Sequence, residues 1–181
     1  ITVWAATKIG AVLVTVNTAY KIHEAEYLLR QSDTHTLVMI DHCLDSNYRE
    51  IIQTLCPELA AAKPGSALHC RKLPFLRNVI TVGFRMPGCL TFDEAMDRAN
   101  MVPREQILRM AAGVRPDDVC NMQYTSGTTS LQKGLMLTHY NVVNDGKSLG
   151  DRMDLSTADR RMIQVPLFHC LDMVPSTTSC M

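Results

Sequence analysis

Apolar positions recur along the chain with two different periods. Spacings of three and four residues, together with runs of helix-forming residues, predict helices at 2–10, 22–29, 48–59, 93–99, 104–112 and 139–149. Short runs of apolar and β-branched residues predict strands at 12–16, 36–40, 79–82, 119–125 and 162–167. Strands that alternate with helices indicate an α/β fold with a largely parallel sheet.

Residues with strong local preferences mark the ends of these elements. Asp45 is the predicted cap of the helix at 48–59, and Thr138 is the predicted cap of the last helix. Pro103 is suited to begin the helix that follows it, since the first helical position needs no N–H donor. Pro and Gly residues predict a loop at 60–72 and a turn at 86–88.

Composition narrows the classes of function. The chain has 181 residues, of which 46% are hydrophobic and 20% charged, as in a folded globular protein. Eighteen basic and eighteen acidic residues give zero formal net charge, so no basic surface for nucleic acid is expected. The apolar runs are far shorter than the ~18 residues that a membrane-spanning helix needs.

The cysteines predict neither a zinc site nor a set of disulfides. They are odd in number and lack any C-x-x-C pair, and they lie at 43, 56, 70, 89, 120, 170 and 180. Their apolar surroundings indicate packing roles, and free thiols suit a reducing cytoplasm.

The two ends of the chain predict that it is a segment of a longer protein. It opens at Ile1 without an initiator Met or a recognisable signal peptide, and it stops after a Ser/Thr-rich stretch.

A loop rich in Gly, Ser and Thr follows the predicted strand at 119–125 and leads to Lys133. Small residues let backbone N–H groups turn inward around anionic oxygens, hydroxyls add donors, and the lysine adds positive charge. Polyphosphate is the ligand that this combination suits. The loop is not a Walker P-loop, because Gln132 and Gly134 stand where that motif requires Gly and Ser or Thr.

The complete string at 124–134, YTSGTTSLQKG, resembles the Y/F-T-S-G-T-T-G-x-P-K-G signature of the adenylate-forming superfamily, with eight of its ten defined positions in agreement. The segments at 10–20, 137–142 and 166–170 are similar to other segments of that family, in the same order. The resemblance spans essentially the whole chain and is greatest to medium- and long-chain fatty acid–CoA ligases.

The resemblance implies two half-reactions. A carboxylate attacks the α-phosphorus of MgATP to give an acyl-adenylate and pyrophosphate, and the thiol of coenzyme A then displaces AMP. It implies a loop for the β- and γ-phosphates made by Thr125, Ser126, Gly127, Thr128, Thr129, Lys133 and Gly134. It places His169 in the wall of the acyl and adenylate pocket. It assigns no catalytic residue and no metal ligand within this segment.

Five residues depart from the family pattern. Ser130 replaces a Gly and Gln132 replaces a Pro in the loop, and both changes predict weaker ATP binding. Leu171 and Asp172 replace an aromatic residue and a Gly, and a buried Asp172 would need a partner. Pro175 lies where a helix is expected to continue.

The resemblance therefore predicts that residues 1–181 are an incomplete N-terminal AMP-binding domain without the C-terminal domain. Such a segment is expected to be inactive by itself, since other nucleotide-binding motifs and a catalytic lysine of the family are missing. Two alternatives stay open. One is a non-catalytic remnant that folds as an interaction module, and the other is a ligase for an aryl or amino acid.

Overall fold

A computed structural model describes residues 1–125 and 132–180. Its α-helices are α1 (Thr2–Lys8), α2 (Ile22–Gln31), α3 (Tyr48–Leu55), α4 (Phe92–Asp97), α5 (Arg104–Gly113) and α6 (His139–Arg152). Its strands are β1 (Leu13–Val14), β2 (Thr36–Met39), β3 (His42–Cys43), β4 (Ser46–Asn47), β5 (Asn78–Thr81), β6 (Leu90–Thr91), β7 (Val119–Thr125) and β8 (Lys133–Thr138). The predicted α/β class is confirmed.

One compact unit is formed by Thr18–Pro103. Its sheet has the order β2-β5-β6 with both pairs parallel, and the β2–β5 pairing begins at Thr36 opposite Asn78. Parallel neighbours require a crossover connection, which α3 and the 3-10 helix Pro57–Ala61 supply between β2 and β5. The fully buried apolar side chains of this unit are Leu28, Ile52, Leu55, Cys56, Leu59, Leu73 and Leu76.

The other unit contains Ile1–Asn17 and the chain from Arg104 onward. Its sheet has the order β1-β7-β8, so β7 is the central strand. β7 pairs in parallel with β1, where Leu13 lies opposite Asn121, and antiparallel with β8. Two three-stranded sheets, one of them mixed, thus replace the single and largely parallel sheet that the sequence pattern predicts.

β8 is not predicted by the pattern, because its apolar residues Leu135, Met136 and Leu137 are consecutive rather than alternating. Its Leu135 and Met136 side chains are 53% and 62% exposed. The strand forms because its backbone pairs along the whole of β7, and burial of side chains contributes little to it.

The cap of α3 is Asn47 and not Asp45, which corrects the prediction. The Asn47 side chain accepts a hydrogen bond from the Glu50 amide at 3.2 Å. Asp45 forms an exposed ion pair with Lys21 instead, with 3.0 Å between Asp45 Oδ2 and Lys21 Nζ. The helix also ends at Leu55, earlier than predicted, because a 3-10 helix begins at Pro57.

The predicted strand at 162–167 is wrong. Among the described residues no strand pairs with this segment, and the Met162 and Leu167 side chains are 78% and 54% exposed. The Val165 amide donates to the Asp172 carboxylate, so the donor that a sheet would use is taken by a side chain.

Most other predicted elements are confirmed with shifted ends. The cap at Thr138 is present, since its hydroxyl accepts a hydrogen bond from the Asn141 amide at 3.2 Å. α6 runs to Arg152, past the predicted end, and β1 is only two residues long. No helix in the described residues combines the length and the apolar character that crossing a bilayer would require.

The segment after His169 packs tightly against α6. It contains a π-helix, Asp172–Ser176, and Pro175 lies inside this helix. The turns of a π-helix are wider than those of an α-helix, and they accommodate a residue without an amide donor. Gly146 of α6 is buried at this contact. A Cβ there would lie 1.9 Å from Thr178 Oγ1, so only glycine permits the approach.

We expect Asn47→Ala to lower the free energy of unfolding by about 1 kcal/mol, since it removes the side-chain cap of α3. Asp45→Ala should leave the urea midpoint almost unchanged, because the ion pair that it removes is exposed. Urea unfolding followed by circular dichroism measures both. Equal effects of the two variants would contradict the assignment of the cap.

Glu94 gives the unit Thr18–Pro103 an acid-sensitive contact. Its carboxylate accepts hydrogen bonds from the Thr91 amide at 2.9 Å and from Arg85 at 2.6 Å, which lower its pKa from 4.5 to about 2. Because the pKa falls on folding, the stabilisation is complete above pH 4.5 and is lost as the pH falls through about 2.

Glu94→Gln should therefore destabilise the chain at pH 7 and have little effect below pH 2. Glu50→Gln, a change in the first turn of α3, is the control for urea unfolding at both pH values. A Glu94→Gln effect that is the same at both would contradict this assignment.

Candidate functional site

The antiparallel pair β7–β8 holds both ends of the predicted phosphate loop. Thr125 ends β7 opposite Lys133, which begins β8, and Tyr124 lies opposite Gly134. The Thr125 hydroxyl approaches the Lys133 carbonyl oxygen at 3.5 Å, and both side chains are exposed. The predicted loop residues Ser126, Gly127, Thr128 and Thr129, with the departure Ser130, lie outside the described residues.

Gly134 allows the two strands to approach closely. A Cβ at this position would lie 3.2 Å from Met122 Sδ and 3.3 Å from Tyr124 Cζ. A methyl group there would require both side chains to move by a few tenths of an ångström, so glycine suits the close pairing of β8 with β7. Backbone pairing with Tyr124 sets the position next to Lys133.

Two amide side chains are buried inside β7, and they are bonded to each other. Asn121 and Gln123 are 2% and 4% exposed, and the Gln123 Nε2 group donates to Asn121 Oδ1 at 2.9 Å. Asn121 Nδ2 donates to the Leu13 carbonyl oxygen of β1 at 3.2 Å. We call this chain of hydrogen bonds the amide ladder. It fastens β1 to the strand that leads into the loop.

Thr15 extends the amide ladder to the segment that carries His169. Its hydroxyl lies 3.0 Å from Gln123 Oε1 and 3.3 Å from the Phe168 carbonyl oxygen, so its single proton is shared between two acceptors. The backbone just before His169 is thus linked to the central strand.

His169 is exposed, and it contacts its own segment. Its ring centroid lies 4.5 Å from that of Phe168, its amide donates to the Pro166 carbonyl oxygen, and its own carbonyl accepts from the Met173 amide. Within the described ranges, no hydrogen bond joins His169 to Thr125, Lys133 or Gly134. The hairpin brings those three residues together, and the Phe168 carbonyl oxygen just before His169 is linked to the same strand through Thr15.

Asp172 has the partners that its burial demands, as predicted. It is 4% exposed, and its carboxylate accepts hydrogen bonds from the Ser176 hydroxyl at 2.6 Å and from the Val165 amide. Arg161 in turn donates to the Ser176 hydroxyl oxygen at 3.0 Å. The carboxylate is therefore an internal support of the segment that follows His169.

Four thiols have a pKa raised by burial, and none of these is an activated nucleophile. Burial raises the pKa of Cys89 to about 11 and raises the pKa values of Cys56, Cys120 and Cys170. The chemistry that the hairpin residues Thr125 and Lys133 offer is hydrogen bonding and positive charge.

Sequence reasoning missed Thr15, Asn121 and Gln123. The available signal was a pair of amide residues, Asn121 and Gln123, at alternate positions of an otherwise apolar strand, which places both side chains on the same face of the strand. On the sequence alone, such residues are typical of the solvent-facing side of a strand.

Comparison with known proteins decides the family. The model of the AMP-binding enzyme family matches residues 1–181. The chain belongs to the AMP-binding enzyme family. The resemblance read from the loop and the three flanking segments is therefore confirmed.

Relatives of this AMP-binding chain are acyl-CoA synthetases. It is 43% identical to the acyl-CoA synthetase YngI of Bacillus subtilis over 178 residues, which are 98% of this chain and 32% of YngI. It is 35% identical to the human medium-chain acyl-CoA ligase ACSF2, mitochondrial, over 98% of this chain and 29% of that protein. The chain thus spans about a third of the length of these relatives.

Solved structures agree with the fold. A long-chain-fatty-acid-CoA ligase (FadD1) from Archaeoglobus fulgidus superposes with a TM-score of 0.63 at 24% identity, over 98% of this chain and 30% of that one. The anthranilate CoA ligase AuaEII, in complex with anthranoyl-AMP, superposes with a TM-score of 0.62 at 24% identity, over 82% of this chain and 24% of that one.

The amide ladder predicts a large effect of Gln123→Leu. The substitution leaves Asn121 Oδ1 without its donor and leaves the Thr15 hydroxyl with the Phe168 carbonyl oxygen as its remaining acceptor, which should lower the free energy of unfolding by about 1–3 kcal/mol. Gln106→Leu on the exposed side of α5 makes the same chemical change without burial and is the matched control. Equal urea midpoints for the two variants would contradict the role of the ladder.

Proposed function

We propose that this chain carries the triphosphate-binding part of an ATP-dependent fatty acid–CoA ligase. The single observation that supports this most is the pairing of Thr125 with Lys133 at the ends of a loop whose sequence matches the family signature. The enzyme would join a carboxylic acid to AMP with release of pyrophosphate, and would then transfer the acyl group to coenzyme A.

The physical difficulty of the first step is electrostatic. A carboxylate anion must approach the α-phosphorus of a polyanion, so neutralisation of charge and positioning supply most of the catalysis. Lys133 is exposed and forms no ion pair within the described part of the chain, so its ammonium group is available to a phosphate. The Thr125 hydroxyl and Gly134 lie at the same end of the β7–β8 pair as Lys133, and we assign them to the β- and γ-phosphate contacts.

The rest of the predicted phosphate site has the same proposed role. In our proposal it consists of Ser126, Gly127, Thr128 and Thr129. His169 is proposed to line the pocket for the acyl group and the adenylate. ATP is proposed to enter as its Mg²⁺ complex, and coenzyme A is proposed as the acyl acceptor.

A medium- or long-chain fatty acid is the proposed acid. The name of the ACSF2 relatives states a medium-chain acyl-CoA ligase, at 32–37% identity. An aryl acid is the second candidate, because the fold is shared with an anthranilate CoA ligase. We propose the cytoplasm as the compartment on the odd number and wide spacing of the cysteines, although the ACSF2 relatives are named as mitochondrial proteins.

We propose that these 181 residues do not catalyse adenylation by themselves. They hold part of an N-terminal AMP-binding domain, about a third of the length of the relatives. Apolar side chains on β8 and α6 stay uncovered among the described residues, with Met136, Tyr140 and Val143 each 59–62% exposed. A pyrophosphate-exchange assay of the purified chain with MgATP and a panel of fatty acids should show no exchange. Exchange that depends on the acid would contradict this.

Binding of MgATP tests the phosphate site directly. We expect MgATP to raise the Tm of the chain, and we expect Lys133→Ala to weaken this binding by on the order of tenfold or more, since a charge-assisted contact is lost. Lys147→Ala removes the same charge from the exposed face of α6 and should bind like the parent chain. A Tm that MgATP leaves unchanged in a folded chain would favour the non-catalytic remnant.

A chimera tests the reaction and the acid together. The chain replaces the matching segment of human ACSF2, and unmodified ACSF2 is the positive control. We expect the chimera to form acyl-CoA from a medium-chain acid, and we expect Ser130→Gly with Gln132→Pro to raise its rate by about fivefold or more. A folded chimera without activity, with or without these two changes, would contradict the proposal. Activity on aryl acids alone would replace the fatty acid with the second candidate.

A further inference from the structure

The unit Thr18–Pro103 brings together two thiols and a carboxylate that are distant in the sequence. Cys56 follows the end of α3, Glu58 lies in the 3-10 helix after it, and Cys70 belongs to the loop that leads to β5. One ligand atom from each of the three lies within 4.8 Å of the other two. None of these residues has a role in the hairpin site.

Both sulfur atoms are in the core. Cys56 is 0% exposed and Cys70 is 4% exposed. The Cys70 thiol lies 3.4 Å from the Leu55 carbonyl oxygen, which places a backbone oxygen beside the cluster as well. Burial holds the two thiols in fixed positions, which lowers the entropic cost of collecting them around a ligand.

Glu58 gives the cluster an unsatisfied acceptor. Its Oε1 atom accepts a hydrogen bond from the Arg71 amide at 3.2 Å. Its Oε2 atom is buried and accepts no hydrogen bond of ordinary geometry within the described part of the chain, where the Cys56 thiol is its polar neighbour. Since a buried carboxylate oxygen without a partner is costly, a cation at this point would remove a cost that the metal-free chain bears.

We propose that Cys56, Glu58 and Cys70 bind one thiophilic divalent cation, of which Zn²⁺ is the type. Metal–sulfur distances near 2.3 Å and metal–oxygen distances near 2.0–2.2 Å separate ligand atoms by about 3.5–3.8 Å in a tetrahedron. The observed cluster, with all three atoms inside 4.8 Å, needs inward shifts of no more than about 1 Å. The Leu55 carbonyl oxygen or water would complete the coordination.

Binding of the cation needs neither an oxidant nor a reductant. The cation forms two metal–sulfur bonds and one metal–oxygen bond, and the two thiols release two protons to the solvent while the metal keeps its oxidation state. Two thiolates and one carboxylate around a divalent cation carry one net negative charge. Arg71, whose charge lies near Glu58, partly compensates for it.

A cavity borders the cluster on the side of Cys56. This cavity of about 220 Å³ is lined by Cys56, Leu59, Met86 and Pro87, among others. The spacing rule that predicts no zinc site examines cysteine pairs close in the sequence, and Cys56 and Cys70 are brought together by the fold instead. The proposal does not depend on the function proposed for the hairpin.

A disulfide between Cys56 and Cys70 is the competing use of the same pair. It would need an external oxidant to reach two buried sulfur atoms, and it would leave Glu58 Oε2 unsatisfied. Glu58→Gln separates the two ideas, because it removes a metal ligand and leaves both thiols in place.

The test uses the full 181-residue chain, reduced and freed of metal with a chelator. Titration with Co²⁺ and with Cd²⁺ should give thiolate-to-metal charge-transfer absorption that saturates at one ion per chain, and native mass spectrometry with Zn²⁺ should show one bound ion. Cys56→Ser and Cys70→Ser should abolish the absorption, and Glu58→Gln should weaken the affinity at least about tenfold. Cys89→Ser, a change at a buried thiol outside the cluster, should bind like the parent chain.

Three results would overturn the proposal. They are a folded parent chain that binds none of the three ions, an equal loss in Cys89→Ser, and a Glu58→Gln variant with unchanged affinity. The first of these includes a chain that loses the mass of two hydrogen atoms when air oxidises the two thiols to a disulfide, and that binds no ion once reduced. If a cysteine variant fails to fold, the Glu58→Gln variant still tests the proposal, because Glu58 is only half-buried and its substitution disturbs the core less.

Discussion

The unit that contains the β7–β8 hairpin depends on one constraint, which is that the buried amides of Asn121 and Gln123 must be hydrogen-bonded. An amide in the interior must find partners for its donors and its acceptor, because each one left unsatisfied costs about 1–3 kcal/mol. In β7 these partners are the other amide, the Leu13 carbonyl and the Thr15 hydroxyl. A shift of β1 by one residue would break the bonds to Leu13 and Thr15 and leave only the bond between the two amides, so the ladder favours the observed register of β1 on β7. The far end of the same strand then presents Thr125 opposite Lys133.

Helices with a clear apolar face could be predicted from the sequence, since their signal is local. α2, α5 and α6 follow from spacing and capping residues alone. The rest depends on contacts between distant segments. β8 pairs with β7, the Val165 amide in the segment at 162–167 donates to Asp172, and Asp45 pairs with Lys21 while Asn47 caps α3.

The candidate site, too, has features that could be predicted from the sequence and features that could not. The loop signature is contiguous in the sequence, so the family resemblance could be predicted from it, and the family match confirms that resemblance. The amide ladder and the cluster of Cys56, Glu58 and Cys70 were not visible, because each joins residues that only the fold brings together. Residues that depart from the family pattern illustrate both cases. The partner that Asp172 requires was predicted, whereas the identity of Ser176 and the Val165 amide was not.

The most direct test of the central claim is a ¹⁵N–¹H NMR titration of the full chain with MgATP. The account predicts that the amide resonances of Thr125, Lys133 and Gly134 shift in a saturable manner, while those of the β2-β5-β6 sheet do not. Shifts confined to that sheet, or no shifts at all in a folded chain with MgATP in excess, would contradict the claim that the β7–β8 hairpin holds the triphosphate.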